Sequence, residues 1–243
     1  MGRWAFIIIF ALLAAKAPAA DVDTFAGLEW AEPEAGQQIR LLAVHPHDLP
    51  AAEGYRYLVP NENNVTRYGA LLAHVMRTDG AWLQERLVGA GRAVVMPVYE
   101  TDTGRLALLK DAERQARENR AGVWAGEADF LHCADDARGA FDGFALVQGR
   151  LVDAARVRGT VYLNFGEDWR RDFTVKITNR TFRKLPAAMQ KALDDLIESD
   201  NPEAVIEARG WVHFEGGPMI EITHAAQLDF HGPASPFIKG GCL

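Results

Sequence analysis

Cysteine is nearly absent from this chain, with only Cys133 and Cys242 in 243 residues. No Cys-based catalytic or metal-binding motif is visible. An even count suits one disulfide in an oxidising compartment, Cys133 to Cys242, and the alternative is two free, partly buried thiols. Such a bridge would close a loop of about 110 residues and tie the C-terminal end to the middle of the chain. Long apolar runs are also missing. The longest is Trp4 to Ala15, well short of the ~20 residues that span a bilayer. Arg3 precedes it and Ala17-Pro18-Ala19-Ala20 follows, so residues 1–20 read as a secretory signal. No Cys lies near the cleavage point, which argues against lipid attachment. The expectation is a mature chain that begins near Asp21, lies in the periplasm or is secreted, and has no transmembrane segment. Basic residues are outnumbered, 26 against 33, for a net charge of −7. Loss of Arg3 and Lys16 takes this to about −9. Nucleic acid repels such a chain at long range, which weighs against bulk DNA degradation but leaves room for a local basic groove. Neither a Gly-rich phosphate loop nor a Ser-His-Asp elbow is present.

What is present is a globular composition, half apolar and a quarter charged, over a length that suits two domains. Residues 37–44 and 70–77 read as strands, with the turn cluster Pro60-Asn61-Glu62-Asn63-Asn64 between them. Residues 81–90 read as a short helix from the spacing of Trp82, Leu83, Leu87 and Ala90, ended by Gly89 and Gly91. Residues 92–99 form another strand, broken at Pro97. The clearest helix is 106–120. Leu106, Leu109, Ala112 and Ala116 line one face, and Glu113–Arg117 makes an i,i+4 ion pair on another. Gly122 is its C-cap, and Val123-Trp124 folds back onto the core. A small polar linker, 131–143, precedes a second half with strands expected at 144–152, 160–165, 173–178, 205–214 and 219–223. A helix at 186–198 falls between the third and fourth strands. Five strands with a helix after the third is the order of an OB-type barrel.

One strand carries most of the chemical information. Ile39-Arg40-Leu41-Leu42-Ala43-Val44-His45-Pro46-His47-Asp48 runs as a strand and stops at a His-Pro-His-Asp turn. It resembles the active-site strand of the staphylococcal-nuclease-like (thermonuclease) family, whose pattern is Arg-Leu-x-x-[Val/Ile]-Asp-[Thr/Ala]-Pro-Glu. Further likenesses follow in order: Arg67-Tyr68-Gly69-Ala70-Leu71-Leu72-Ala73-His74-Val75, the helix–strand from Leu83 to Val95, and Glu113 to Trp124. Together they cover about residues 21–130. The second half, through Thr160 to Gly166, Asp172 to Val175, Arg209-Gly210-Trp211 and Gly217 to His224, resembles the OB-like extension of many bacterial relatives. The resemblance implies two consecutive barrels and an active site built from an arginine, calcium-binding carboxylates and a general base.

Phosphodiester hydrolysis needs a hard cation on carboxylates, a base for water and donors for the phosphorane. Among the positions that the resemblance assigns, Arg40 matches. The metal carboxylate is replaced by His45, a poor ligand for calcium. The general-base Glu is replaced by Asp48, one methylene shorter, and the second phosphate-binding Arg by Ala70. Arg67 and Arg77 sit an odd number of residues from Ala70, hence on the opposite strand face. Asp21-Val22-Asp23-Thr24 is a distorted echo of the family's first metal turn, and makes Asp23 the remaining carboxylate candidate. About twenty residues separate Asp48 from Tyr68, where the family places a helix and a strand, so this wall of the cleft looks trimmed. His45-x-His47, with Asp48 and His74, suggests zinc, but Pro46 separates the rings and no third ligand is fixed, so a non-metal role is expected.

In the second half, eight basic residues face three acidic ones between Arg156 and Lys184, interleaved with aromatic side chains. Arg158, Tyr162, Trp169, Arg170 and Arg171 are the ligand-binding candidates, on the pattern of basic groove and stacking platform. The competing account is ordinary barrel construction, with Tyr162, Phe173 and Val175 in the core and Arg170-Arg171 neutralising Glu167-Asp168.

The expectation is a mainly β protein with packed helices, a nuclease-like OB-type barrel followed by a second OB-like barrel. The divisions are 1–20 signal, 21–130 first domain, 131–143 linker, 144–230 second domain and 231–243 tail. The expected function is a catalytically degenerate binding or interaction module of the cell envelope. Its partner is an envelope protein or a single-stranded nucleic acid, and no cofactor is expected. The alternative is a calcium-dependent phosphodiesterase acting on DNA or RNA.

Overall fold

The computed structural model describes residues 25–26, 28–33, 37–46, 55–60, 65–97, 102–126, 130–136, 143–168, 170–199, 204–231 and 242. The first half contributes β1 (Glu29–Ala31), β2 (Ile39–Leu41), β3 (Val44–Pro46), β4 (Tyr55–Val59), β5 (Leu71–Arg77), α1 (Leu83–Gly89), β6 (Ala93–Val95) and α2 (Thr103–Glu118). The sheet order is β1-β4-β5-β2, with β2 parallel to β5. Every residue of β5 except Arg77 is buried. Both faces of this strand are covered, which is why it reads as a continuous apolar run rather than an alternation.

The strand expected at 37–44 is two strands. Ala43 has φ 63, a left-handed position that breaks the run, and the Leu42 N–H donates to the Ala73 carbonyl at 3.0 Å. The chain leaves β5 at that point, and β3 pairs with β6 instead. The interval after Asp48 is less trimmed than expected, because β4 lies within it and bridges β1 and β5.

Helix α2 begins three residues earlier than its apolar periodicity predicts. The Asp102 carboxylate caps it by accepting the Arg105 N–H at 2.7 Å. Its far end turns on two glycines in close approach. Gly122 has φ 53, and a Cβ there would lie 2.4 Å from the Gly91 oxygen. That oxygen accepts the Val123 N–H at 2.9 Å. The pair brings Val123 and Trp124 back against Phe130 and Phe144.

The second half contains β7 (Leu131–Cys133), β8 (Gly143–Arg150), β9 (Asp153–Val157), β10 (Thr160–Asn164), β11 (Thr174–Ile177), α3 (Asn179–Phe182), α4 (Ala187–Glu198), β12 (Val205–Glu215), β13 (Gly217–Ile222) and β14 (Leu228–His231). The path is β7-β8-β12-β13-β11-β10-β9, and β14 also pairs with β12. Strands β8 and β9 are one bent strand in two pieces. At the bend the Leu151 N–H donates to Ala204 beside β12, and the next N–H, of Val152, donates to Asn164 on β10. The sheet therefore curls back on itself. With β11 parallel to β13 and the helices between β11 and β12, this is the OB-type order expected from the sequence. Val161, Leu163, Val175, Ile177, Ile206, Ile220 and Ile222 fill the interior, and Leu193 of α4 covers it. Within the stretch read as linker, β7 lies parallel to β8.

The halves share a core. Val94 and Met96 of the first pack with Phe144 and Leu146 of the second. Cys133 is bonded to Cys242 across 109 residues, with Cα atoms 4.8 Å apart, well inside the reach of a disulfide.

Candidate functional site

Arg40 sits on β2 opposite Leu72 and is exposed. Ala70 closes the turn before β5. Its N–H donates to Thr66 Oγ1 at 3.1 Å and its carbonyl accepts the Thr66 N–H at 2.8 Å. A methyl group there supplies no donor to a phosphate. The nearby arginines are engaged elsewhere. Arg67 lies over the Tyr68 ring and donates to its hydroxyl, and Arg77 pairs with Asp79 at 3.3 Å.

His45 is held by the second half of the molecule. Its ring stacks on Phe144 with centroids 5.0 Å apart and 26° between planes, and meets the edge of Trp211 at 6.1 Å. Phe144 and Trp211 are themselves cross-strand partners on β8 and β12. An imidazole between two aromatic rings gains packing and ring electrostatics, and its surroundings are not those of a calcium ligand. The described part of the site, a guanidinium, an imidazole and a methyl group, does not fit calcium, which takes oxygen ligands. His74 is buried against Phe25 and Trp82. Among the described residues no group of three or more His, Cys, Asp or Glu is arranged to hold a metal. Asp23, His47 and Asp48 lie outside the described residues.

The densest charge chemistry is at the seam. Glu113 and Arg117 of α2 meet Glu207 and Arg209 of β12 in a closed ring. Arg117 reaches Glu113 at 2.7 Å and Glu207 at 2.8 Å. Arg209 reaches Glu113 at 2.9 Å and Glu207 at 2.5 Å. The Glu113 carboxylate also accepts the Val95 N–H at 2.7 Å, and Gln148 donates to Glu207 at 2.6 Å. Arg209 donates to the Val95 carbonyl at 3.1 Å, and Lys110 pairs with Asp229 of β14. The side chains of Arg209 and Glu207 are 1% and 0% exposed, so no surface screening applies. Burial pulls the Glu113 carboxyl up, but Arg209, Arg117 and Lys110 outweigh it and hold it at about 2. Glu207 is likewise held well below the usual carboxylate range, mainly by Arg117 and Arg209 against burial. Beside the ring a pocket of about 400 Å³ opens, with Glu113, Arg117 and Arg209 in its inner wall and Ala107, Asp111 and Arg114 at its rim.

Residues 54–126, from the start of β4 to the turn after α2, match the family described as staphylococcal nuclease homologue. This molecule carries a staphylococcal-nuclease-like domain. No curated protein matches the chain. The matched segment includes Glu113, Gly122 and Trp124 and excludes Arg40, His45 and Asp48. In this nuclease-like domain the scaffold around α2 is therefore within what the family model matches, while residues 39–48, which resemble the family's active-site strand, lie outside the match.

The sequence reading missed the ring. It took Glu113–Arg117 for a local helix pair and passed over Glu207. The available signal was Glu207-Ala208-Arg209: two opposite charges two apart on an apolar strand share a face, opposite Ile206 and Ala208. Of the candidates in the barrel, Tyr162 faces outward opposite Lys176, not into the core, because its neighbours Val161 and Leu163 point inward. Phe173 and Val175 are core residues as the competing account held. Arg158 occupies the β9–β10 turn with φ 50 and is exposed. Arg170 and Arg171 are exposed, and their backbone N–H groups donate to Asp168 at 3.1 and 2.8 Å. Trp169 lies outside the described residues.

Proposed function

We propose that the chain is an exported, catalytically degenerate nuclease-like protein that acts as a binding or interaction module of the cell envelope. One observation carries the degeneracy: the His45 ring, at the position of the family's metal carboxylate, is packed against Phe144 and Trp211 of the other half. A cation there would meet an imidazole and two aromatic faces in place of carboxylate oxygens. Export is supported by the signal-like first twenty residues and by the disulfide, which suggests an oxidising compartment. No helix among the described residues is long and apolar enough to cross a membrane. The purified mature chain is expected to cleave neither DNA nor RNA above blank with about 5 mM calcium, an excess over ordinary calcium-site affinities. Robust cleavage that vanishes in Arg40→Ala would overturn this reading and establish the calcium-dependent phosphodiesterase.

A further inference from the structure

The geometry points to the seam pocket as a binding site for a small oxyanion, a carboxylate or phosphate group carried on a small molecule. At about 400 Å³, set between two packed halves, it has the size and placement of a small-ligand site. Its hydrogen-bonding groups are unevenly spent. Both oxygens of Glu113 are taken, one by Arg117 and Arg209, the other by the Val95 N–H and Arg209. Both oxygens of Glu207, which backs the ring, are taken by Arg117, Arg209 and Gln148. The donors are not exhausted. Lys110 has three N–H bonds and directs one at Asp229. Glu113 and Glu207 accept no more bonds, and the Oδ1 of Asp229 is the one carboxylate oxygen of this cluster left unspent among the described residues, so the two spare N–H groups of Lys110 favour an acceptor beside it.

Net charge does not supply the attraction, because Lys110, Arg117 and Arg209 balance Glu113, Glu207 and Asp229. Selectivity comes from directed, charge-assisted bonds in a partly dry site. Burial and the charge of Arg209 push the Lys110 ammonium below its ordinary range, and Asp229 only partly opposes them. An oxyanion beside Lys110 restores its charge preference. Ala107 and the aliphatic stems of Arg114 and Lys110 leave room for a short apolar body. Neither Arg40 nor His45 lines this pocket, so the inference stands whether or not they take part in catalysis.

The test is isothermal titration of the mature protein with inorganic phosphate and, separately, benzoate, at constant ionic strength with chloride as control. Saturable binding of either anion is expected, weakened about tenfold or more in Lys110→Met and unchanged in Lys191→Ala, an exposed residue of α4 outside the pocket. Binding of phosphate alone assigns a phosphoryl group, and of benzoate alone a carboxylate. No saturable heat for either anion up to about 50 mM, weaker than useful small-ligand affinities, overturns the inference, as does undiminished binding in Lys110→Met. Should that variant not fold, the wild-type protein with 13C-methylated lysines decides: the Lys110 resonance must titrate at higher pH with the anion present. No change in its titration is again fatal.

Discussion

Arg209 shows how one side chain can commit a fold. It reaches three carboxylates, Glu113, Glu207 and Asp229, and the Val95 carbonyl from a side chain 1% exposed. Burying charges costs several kcal/mol per ion unless geometry and hydrogen bonds compensate, and losing one partner leaves another charge stranded. Arg209→Met is therefore expected to lower unfolding free energy by about 3–5 kcal/mol, measured by urea denaturation. A loss under about 1 kcal/mol, the range of an exposed pair, would contradict a buried ring. Glu113 carries a matching pH dependence. Its carboxyl titrates at about 2 in the fold against 4.5 as the reference value. A depressed folded pKa favours the ionised form, so the stabilisation is complete above about 4.5 and is lost as pH falls toward 2. Linkage puts it on the order of 3 kcal/mol. Urea midpoints should fall between pH 5 and pH 2.5, and Glu113→Gln should flatten that slope.

At the scale of elements, two joints hold the halves in register. The first is the glycine contact that turns the chain after α2. Gly122→Ala forces a Cβ to 2.4 Å from the Gly91 oxygen at φ 53. The expected loss is about 2 kcal/mol or more, read as a lower melting temperature, while Gly126→Ala, where a Cβ meets nothing within 4 Å, should be silent. The second joint is the disulfide. Cys133 is the register partner of Gln148, and Gln148 donates to Glu207 of the ring. The bond that fixes β7 is thus two steps from the buried charges. Chain entropy for a loop of 109 residues gives about 4–5 kcal/mol at most. Reduction, or Cys242→Ser, should lower the melting temperature. An unchanged melting curve after confirmed reduction would show that β7 is held by packing alone.

For the whole molecule, the two halves should unfold together. Separating them strips Glu113 of Arg209 and exposes Val94, Met96, Phe144 and Leu146, which form one cluster across the seam. A fragment covering residues 21–130 is expected to show no cooperative thermal transition by circular dichroism, and a chain covering residues 21–243 a single one. A fragment that melts cooperatively near the temperature of the intact protein would mean that the halves are independent and the ring adds little. The nuclease-like domain is, on this argument, completed by the barrel that follows it.

Much of this architecture was legible in the residues. The alternation of Val161, Leu163, Val175 and Ile177 and the helix ahead of β12 gave the OB-type order, because period and strand count are properties of local sequence. The even cysteine count pointed to the bond between Cys133 and Cys242. Arg67-Tyr68-Gly69 and the Glu113-to-Trp124 segment pointed to the nuclease-like domain that the family match supports. By residue type alone, His45 and Ala70 depart from the family's pattern at two of its site positions. What the chain could not announce was contact between distant residues. That His45 stacks on Phe144, that Arg117 completes a ring with Glu207, and that Arg209 reaches across to Glu113 each join positions 90 or more residues apart. A charged pair such as Glu113 and Arg117 looks the same on an exposed helix as on a buried one. Only the packing of α2 onto β12 decided which it is, by removing the water that would otherwise have screened it.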